Sequence, residues 1–186
     1  MNRYLQNHSF NSNHHAYQWI FVKTSEWYIR LFLSNASKSF FNKQSFCFQI
    51  GITGGFAPPT PNAIHTVTLP LKSGEISIAS STRQHGTPNL QDALPKKISA
   101  EDEHTVALVD ELHGILKTIP TESPPGSEDI YGLDTSIAWG SEDLQWMNGG
   151  PSGCGGGTSY VQPTAEDKAK FKRAVDIVHE LIKKDK

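Results

Sequence analysis

One helical pattern near the C-terminus does most to decide the fold: TAEDKAKFKRAVDIVHELI, residues 164–182. Its apolar side chains recur every three or four residues, the spacing that places them on one face of an α-helix. They are Phe171, Ala174, Val175, Val178, Leu181 and Ile182. Thr164 has a capping side chain, and Glu166 and Asp167 put negative charge in the first turn, where the helix dipole favours it. The pattern predicts an amphipathic helix that packs its apolar stripe against another layer.

A second helix is predicted earlier in the chain, again from three- and four-residue spacing. Its apolar residues are Leu108, Leu112, Ile115 and Ile119. Ser99 is predicted to be its N-cap, because acidic residues follow at 101–103. The helix is predicted to end before Pro120, which cannot continue it. His104 and His113 fall on this helix, and we expect both to be exposed or at its rim, since neither has an identifiable partner.

Strand patterns precede and separate the two helices. Phe46–Ile50 alternates between apolar and polar residues, as half-buried strands do. Residues 62–81 predict a hairpin, and residues 130–139 with 144–147 predict another. The segment 83–98 is polar and contains two prolines, so we expect a linker that crosses the surface. The order strands, helix, strands, helix predicts an α+β fold, with an antiparallel sheet built from hairpins and packed against two amphipathic helices.

The composition changes sharply near Gly51. The first 50 residues lack Gly, Pro and Asp and carry a net charge of +4, whereas the remaining 136 carry −6. We therefore expect a poorly ordered, aromatic and Asn-rich extension over residues 1–45 and a single α+β domain over residues 46–184. The extension is acid-poor, Ser-rich and basic, as transit peptides are. Two other interpretations stay open: translation of normally non-coding sequence, or a short amphipathic helix at 17–33 on a membrane surface.

Length, charge and cysteine content exclude several classes of protein. A net charge of −2 over 186 residues offers no basic excess for nucleic acid. No apolar run approaches the ~18 residues of a membrane-spanning helix, so no stable membrane insertion is expected. The two cysteines show no pairing pattern, which suits a reducing compartment. We expect a soluble, cytoplasmic protein, or a mitochondrial one if residues 1–45 act as a transit peptide.

Cys154 is the most conspicuous candidate nucleophile, because it lies within the glycine-rich stretch 149–157. Flanking glycines predict an accessible thiol, and backbone N–H groups around it would lower its pKa. A catalytic thiol also needs a base, however, and no local signature supplies one. The stretch is not a phosphate loop, because no Lys-Ser/Thr pair follows it. The alternative interpretation is a flexible hairpin insert.

Acidic residues are numerous around the second hairpin. They are Glu122, Glu128, Asp129, Asp134, Glu142 and Asp143. Paired carboxylates can hydrolyse glycosides, but acids in loops are usually solvated, and that is the expectation here. The histidines and Cys154 lack the short spacings of zinc sites. We therefore expect no metal, no cofactor and no catalytic residues, although a small cytosolic enzyme that uses Cys154 or these acids remains an alternative.

Several short motifs occur in an order typical of one family. A predicted strand ends in Gly54–Ala57, and a second strand follows. A helix whose first turn is acidic then leads to Leu116–Pro120. Asp129–Tyr131, a hairpin and a final helix after Pro163 complete the order. In this order the chain resembles the emfourin-like proteins, small α+β inhibitors of thermolysin-type zinc proteases, over about residues 50–183. A hairpin strand around Ile76, a long linker before the helix and the glycine-rich insert depart from that pattern.

The resemblance implies a steric, non-enzymatic function in which the protein binds a protease or another protein. The Gly54–Phe56 bend and the stiff loop 57–61 would project into the partner's cleft. The implied binding residues are Gly54, Gly55, Phe56, Pro58 and Pro59. A proline loop loses little entropy on binding, and Phe56 would be its apolar anchor. Without the resemblance, Phe56 is equally consistent with a residue of the apolar core. The proline loop is equally consistent with a simple connection between strands. A third alternative is an interaction module without chemistry.

Overall fold

The computed structural model describes residues 43–53, 61–70, 73–150 and 154–184. These residues form seven strands and two helices. In chain order they are β1 (Lys43–Ile50), β2 (Ala63–Pro70), β3 (Glu75–Arg83), β4 (Leu90–Asp92), β5 (Lys96–Ser99), α1 (Glu103–Leu116), β6 (Thr135–Gly140), β7 (Gln145–Met147) and α2 (Ala165–Lys183). The fold is α+β, as the order of strand and helix patterns predicts.

The strands form one antiparallel sheet in the order β4-β3-β2-β1-β6-β7. β5 also pairs with β3, so that β4 and β5 lie beside different parts of the same strand. β1 is central. Its register sets Phe48 between His65 of β2 and Ile137 of β6, and the ring of Phe46 stacks on Trp139 at 5.5 Å. The predicted alternation of β1 is therefore confirmed, with every second side chain in the core.

The apolar core lies between one face of this sheet and the two helices. Its strand residues are Phe46, Phe48, Val67, Ile76, Ile78, Ile98, Ile137, Trp139 and Trp146. Its helix residues are Leu108, Val109, Leu112, Leu116, Phe171, Ala174, Val175, Ile177, Val178 and Leu181. Both helices are amphipathic, as predicted, because each buries one stripe and leaves its charged residues in water.

Charged pairs between the helices show that α1 and α2 run antiparallel. They are Asp102–Lys184 at 2.5 Å, His104–Glu180 at 2.6 Å and Glu111–Arg173 at 2.6 Å. The guanidinium of Arg173 donates to both carboxylate oxygens of Glu111, which lowers the pKa of Glu111. Exposed pairs contribute little stability each. Their even progression along both helices nevertheless defines one register for the pair.

One predicted helix cap is confirmed and the other is wrong. The Oγ1 of Thr164 accepts a hydrogen bond from Asp167 N at 3.1 Å, and the carboxylate of Asp167 accepts from Thr164 N at 2.9 Å. At α1 the cap is Asp102, whose carboxylate accepts from Thr105 N at 2.8 Å. Ser99 is instead the last residue of β5. Both side chains can cap a helix, and only the pairing of β5 with β3 excludes Ser99.

The prediction that residues 83–98 lie at the surface is confirmed for most of them, but the prediction that they form a linker is wrong. This segment contains β4 and β5, which both pair with β3. The two strands have three and four residues, too few for alternation to be visible, and Ile98 is their one fully buried apolar residue. Their position is determined by backbone hydrogen bonds to a neighbouring strand, which composition does not reveal.

The predicted strand over 130–139 is only partly correct. β6 begins at Thr135, and residues 130–134 form a loop. Two residues of this loop, Gly132 and Asp134, have positive φ angles of 69° and 52°, which a strand does not allow. Ile130 and Tyr131 are nevertheless buried. Their apolar side chains therefore give the same sequence pattern as a buried strand, although their backbone forms a turn. The return strand β7 is confirmed within the predicted 144–147.

The predictions for residues 1–42 lie outside the described residues, as does the interpretation of residues 17–33 as an amphipathic helix. In the part of the chain that the structure describes, neither helix combines the length and the apolar character that crossing a membrane requires.

Candidate functional site

Several backbone and side-chain hydrogen bonds hold the loops around the end of β1. Gly51 N donates to the backbone oxygen of Asp134 at 2.9 Å. Two residues later, both the backbone N–H and the hydroxyl of Thr53 donate to Asp134 Oδ1, at 2.6 and 2.7 Å. Asp134 therefore holds the chain immediately before segment 54–60, which contains all five residues predicted to bind a partner.

The loop 129–134 positions this carboxylate. The carboxylate of Asp129 accepts hydrogen bonds from Gly132 N at 3.0 Å and from Asp134 N at 2.7 Å. These bonds close a tight turn in which Asp134 takes the left-handed conformation. Aspartate enters that conformation more readily than most residues because its short polar side chain bonds locally. The turn delivers Asp134 Oδ1 to Thr53 at the end of the neighbouring strand.

The chain is held again where it returns from segment 54–60. Asn62 N donates to Ile50 O at 2.7 Å, and Arg83 N donates to Asn62 O at 2.8 Å. The guanidinium of Arg83 donates to Pro61 O at 3.2 Å and also to Pro88 O. Thr53 and Pro61 therefore both have fixed positions at the sheet. The residues between them, Gly54, Gly55, Phe56, Pro58 and Pro59 included, lie outside the described residues.

The described parts of the glycine-rich stretch pack against the same end of β1. Cys154 N donates to Ile52 O, and Gly155 N donates to Gly126 O, each at 2.8 Å. Backbone hydrogen bonds therefore hold Cys154 and Gly155 beside the end of β1. The interpretation of this stretch as a flexible insert stays a prediction, although Cys154 and Gly155 bond to the rest of the domain. Residues 151–153 lie outside the described residues.

Cys154 does not have the environment predicted for it. Its side chain is buried, with 8% exposure. Burial raises the pKa of the thiol to about 11, and the nearby carboxylates of Asp129, Glu122, Asp134 and Glu128 add to the effect. The predicted accessible and acidified thiol is therefore wrong. Glycines lack side chains, but other residues cover Cys154, and its own N–H donates to a backbone carbonyl.

Two of the acids predicted to be solvated hold loops together. Glu122 is 3% exposed, and its Oε1 accepts from Gly126 N at 2.8 Å. The carboxylate of Glu128 accepts from Ser159 N at 2.8 Å and from the side chain of Gln162 at 3.1 Å. The expectation of solvation is wrong for Glu122, whose carboxylate is buried and accepts one backbone hydrogen bond within its own loop. The carboxylate of Glu128 joins segment 122–128 to segment 159–162, whereas that of Glu122 bonds to Gly126 within the first segment.

The remaining acidic residues of the predicted group lie elsewhere. Asp143 sits in the turn between β6 and β7, where it contacts Lys117 at 2.5 Å and His113 at 3.2 Å. His104 contacts Glu180 at 2.6 Å. His104 is exposed and His113 partly exposed, as expected. Each nevertheless has a partner, 76 and 30 positions away along the chain, which the sequence does not reveal. Among the described ranges, no group of three or more His, Cys, Asp or Glu side chains is arranged to hold a metal ion.

Sequence reasoning missed the two residues that fix the ends of segment 54–60, Asp134 and Arg83. Asp134 carries a weak signal, because Gly-Leu-Asp-Thr before a strand is typical of a turn. Arg83 carries none, since nothing in its surroundings in the sequence distinguishes it from other surface cations. Comparisons of the chain with protein-family models, with curated proteins and with solved structures give no match.

Proposed function

We propose that the protein is a non-enzymatic binding protein whose segment 54–60 enters the cleft of a partner, and that the partner is a thermolysin-type metalloprotease. The observation that carries the proposal is the fixation of both ends of this segment, at Thr53 by Asp134 and at Pro61 by Arg83. A segment with anchored ends has less conformational freedom to lose on binding, which favours affinity.

The composition of the segment supports the same function. Residues 54–60 read Gly-Gly-Phe-Ala-Pro-Pro-Thr, without a charged side chain and with one large apolar residue, Phe56. Prolines restrict the backbone further. A single aromatic residue on a restrained loop is the kind of anchor that dominates binding energy in protein interfaces. The steric mechanism requires no reaction by the inhibitor itself.

The chemistry of the neighbouring groups is also easier to reconcile with binding than with catalysis. The pKa of the Cys154 thiol is raised to about 11, away from the range in which a thiolate forms at neutral pH. The carboxylates of Glu128, Asp129 and Asp134 accept hydrogen bonds from backbone and side-chain donors. One oxygen of Glu122 accepts from Gly126 N, and its other oxygen is buried without a partner among the described residues. Cys47 and Cys154 are both free thiols, which supports a function in a reducing compartment such as the cytoplasm.

Titration of the full chain against thermolysin, with a fluorogenic peptide as substrate, tests the proposal. We expect dose-dependent inhibition, loss of inhibition in Phe56→Ala, and an unchanged melting temperature in that variant. Leu94→Ala is the matched control, because Leu94 is also a large apolar side chain on a proline-containing loop and is 94% exposed. Its inhibition should equal that of the unmodified chain.

Electrophoresis of the mixture distinguishes a true inhibitor from a chain that slows peptide cleavage only because the protease digests it as a second substrate. An inhibitor stays intact while peptide cleavage stops. Absence of inhibition at a large molar excess contradicts the metalloprotease as partner. Unfolding caused by Phe56→Ala contradicts the role of Phe56 as a contact residue, because a surface anchor can be removed without loss of the core.

A further inference from the structure

Two histidines, one from the sheet and one from α2, contact the same buried phenylalanine. Phe48, at the centre of β1, is fully buried. The ring centroid of His179 lies 5.1 Å from that of Phe48 in an edge-on arrangement, and the ring centroid of His65 lies 6.1 Å from it. The two imidazoles therefore belong to different layers of the fold and meet at the same core side chain.

The register of the sheet places His65 in this position. It lies directly opposite Phe48 on β2 and opposite Ser80 on β3. Its side chain is 8% exposed, and its Nδ1 is 2.8 Å from Ser80 Oγ. His179 comes from α2, where it is flanked by the buried Val178 and only partly covered itself. Protonation of either ring places charge at the contact between sheet and helix.

The cations around this contact come from three elements. From β5, Lys96 Nζ donates to the backbone oxygens of Ile182 and Lys184 at the end of α2. From α2, Lys183 faces His179. From α1, His104 lines the same open groove of about 620 Å³ as His179, together with Asp176, Glu180, Lys183 and Lys184. The groove gives solvent a route to His179.

Each acidic group near the contact already has a partner of its own. Glu180 pairs with His104 at 2.6 Å, and Asp176 pairs with Lys172 at 2.9 Å. On α1, Asp102 pairs with Lys184 at 2.5 Å. A proton added to His65 or His179 therefore meets Lys96 and Lys183 without an unengaged carboxylate to offset it, apart from the weak attraction of Asp176 for His179.

We propose that His65 and His179 form an acid-sensing pair, whose protonation weakens the packing of the C-terminal half of α2 on the sheet. Neutral imidazoles pack against Phe48 at neutral pH. Acidification places two positive charges next to one phenyl ring and near two lysines. The half of α2 that ends at Lys183 then loses its contact with β1 and β2 more readily than the half that contains Phe171.

The direction of the pH dependence follows from the shifts of both groups. Burial lowers the pKa of His65, and His179 and Lys96 lower it further. Burial likewise lowers the pKa of His179, and Lys183 adds to this, against Asp176. The unfolded chain therefore binds more protons than the folded protein below about pH 6.5. The contribution of the two neutral histidines to the free energy of unfolding is fully present above that pH. It is lost as the pH falls toward their lowered pKa values.

Urea denaturation of the full chain at pH 7.5 and pH 5.5 tests the pair. The variants are His65→Gln, His179→Gln and the double variant, because glutamine keeps a polar side chain of similar size but does not titrate. His85→Gln is the control, since His85 is an exposed histidine outside this contact. We expect the unmodified chain and the control to lose stability at pH 5.5, and the double variant to lose clearly less.

Hydrogen exchange, corrected for its intrinsic pH dependence, locates the effect. Amides of residues 177–183 should lose protection at pH 5.5 relative to amides of residues 105–112 in α1, and the double variant should keep it. An unchanged pH dependence in the double variant overturns the proposal, as does an equal loss of protection in both helices. If His65→Gln does not fold, the test uses His179→Gln alone. Removal of His179 must then raise the pKa of His65, as measured by NMR, and an unchanged pKa overturns the proposal.

Discussion

Thr53 donates two hydrogen bonds to one oxygen of Asp134, from its backbone N–H at 2.6 Å and from its hydroxyl at 2.7 Å. The two residues lie 81 positions apart in the chain. The contact ties the end of β1 to the loop before β6. It therefore fixes Thr53, the last described residue before segment 54–60.

Replacement of Asp134 should loosen this anchor. Asp134→Ala removes both hydrogen bonds and places alanine at a positive φ angle, so we expect a loss of about 1–3 kcal/mol in the free energy of unfolding. Asp134→Asn keeps an acceptor oxygen and a residue that tolerates this conformation, so its loss should be smaller. Urea denaturation measures both. Chymotryptic cleavage after Phe56 should also accelerate in Asp134→Ala, and equal cleavage rates in all three proteins would contradict the anchor.

Gly51 should tolerate no side chain, because two constraints act on it together. Its φ angle is +89°, and an added Cβ would lie 3.0 Å from the backbone nitrogen of Asn62. Gly86 has a similar φ angle of +82° with no atom within 4 Å of an added Cβ. Gly86→Ala therefore measures the conformational cost alone, about 1–2 kcal/mol. Thermal and urea unfolding should show a larger loss for Gly51→Ala, and equal losses would mean that the contact with Asn62 relaxes freely.

The sequence predicts those elements whose pattern is long enough to be read by itself. The stripe of α2 from Phe171 to Ile182 and the cap at Thr164 are local features, and both are confirmed. β5 is not visible, because one buried residue, Ile98, is all that it contributes to the core. Its strand character arises from backbone bonds to β3, which no property of its own residues specifies.

The candidate site is predictable only in part, for the same reason. The unusual composition of residues 54–60 identifies a loop worth testing. The groups that hold its two ends, Asp134 and Arg83, come from parts of the chain 81 and 22 positions away from their contacts. Cys154 shows the opposite error. Its flanking glycines predict exposure, but the folded chain buries the thiol to 8% exposure.

A single substitution in α1 should stabilise the protein. Gly114 lies inside the helix, is exposed, and has no atom within 4 Å of an added Cβ. Because glycine in a helix interior is less favourable than alanine, Gly114→Ala should raise the free energy of unfolding by about 0.5–1 kcal/mol. Urea denaturation with an unchanged m-value would check this. A loss of stability would mean that the α1 backbone at this position departs from regular helix.

The thiol of Cys154 should react slowly while the protein is folded. Its pKa is raised to about 11, so that fewer than about one thiol in a thousand is ionised at pH 7.5, and only the thiolate is nucleophilic. Burial at 8% exposure adds a steric barrier. Alkylation by iodoacetamide, followed at Cys154 by peptide mass spectrometry, should therefore be slow at pH 7.5 and rise steadily toward pH 11. In concentrated urea the thiol should regain its ordinary pKa and react fast at pH 7.5. Fast alkylation of the folded protein at neutral pH would contradict this environment and would instead favour a nucleophilic role for Cys154.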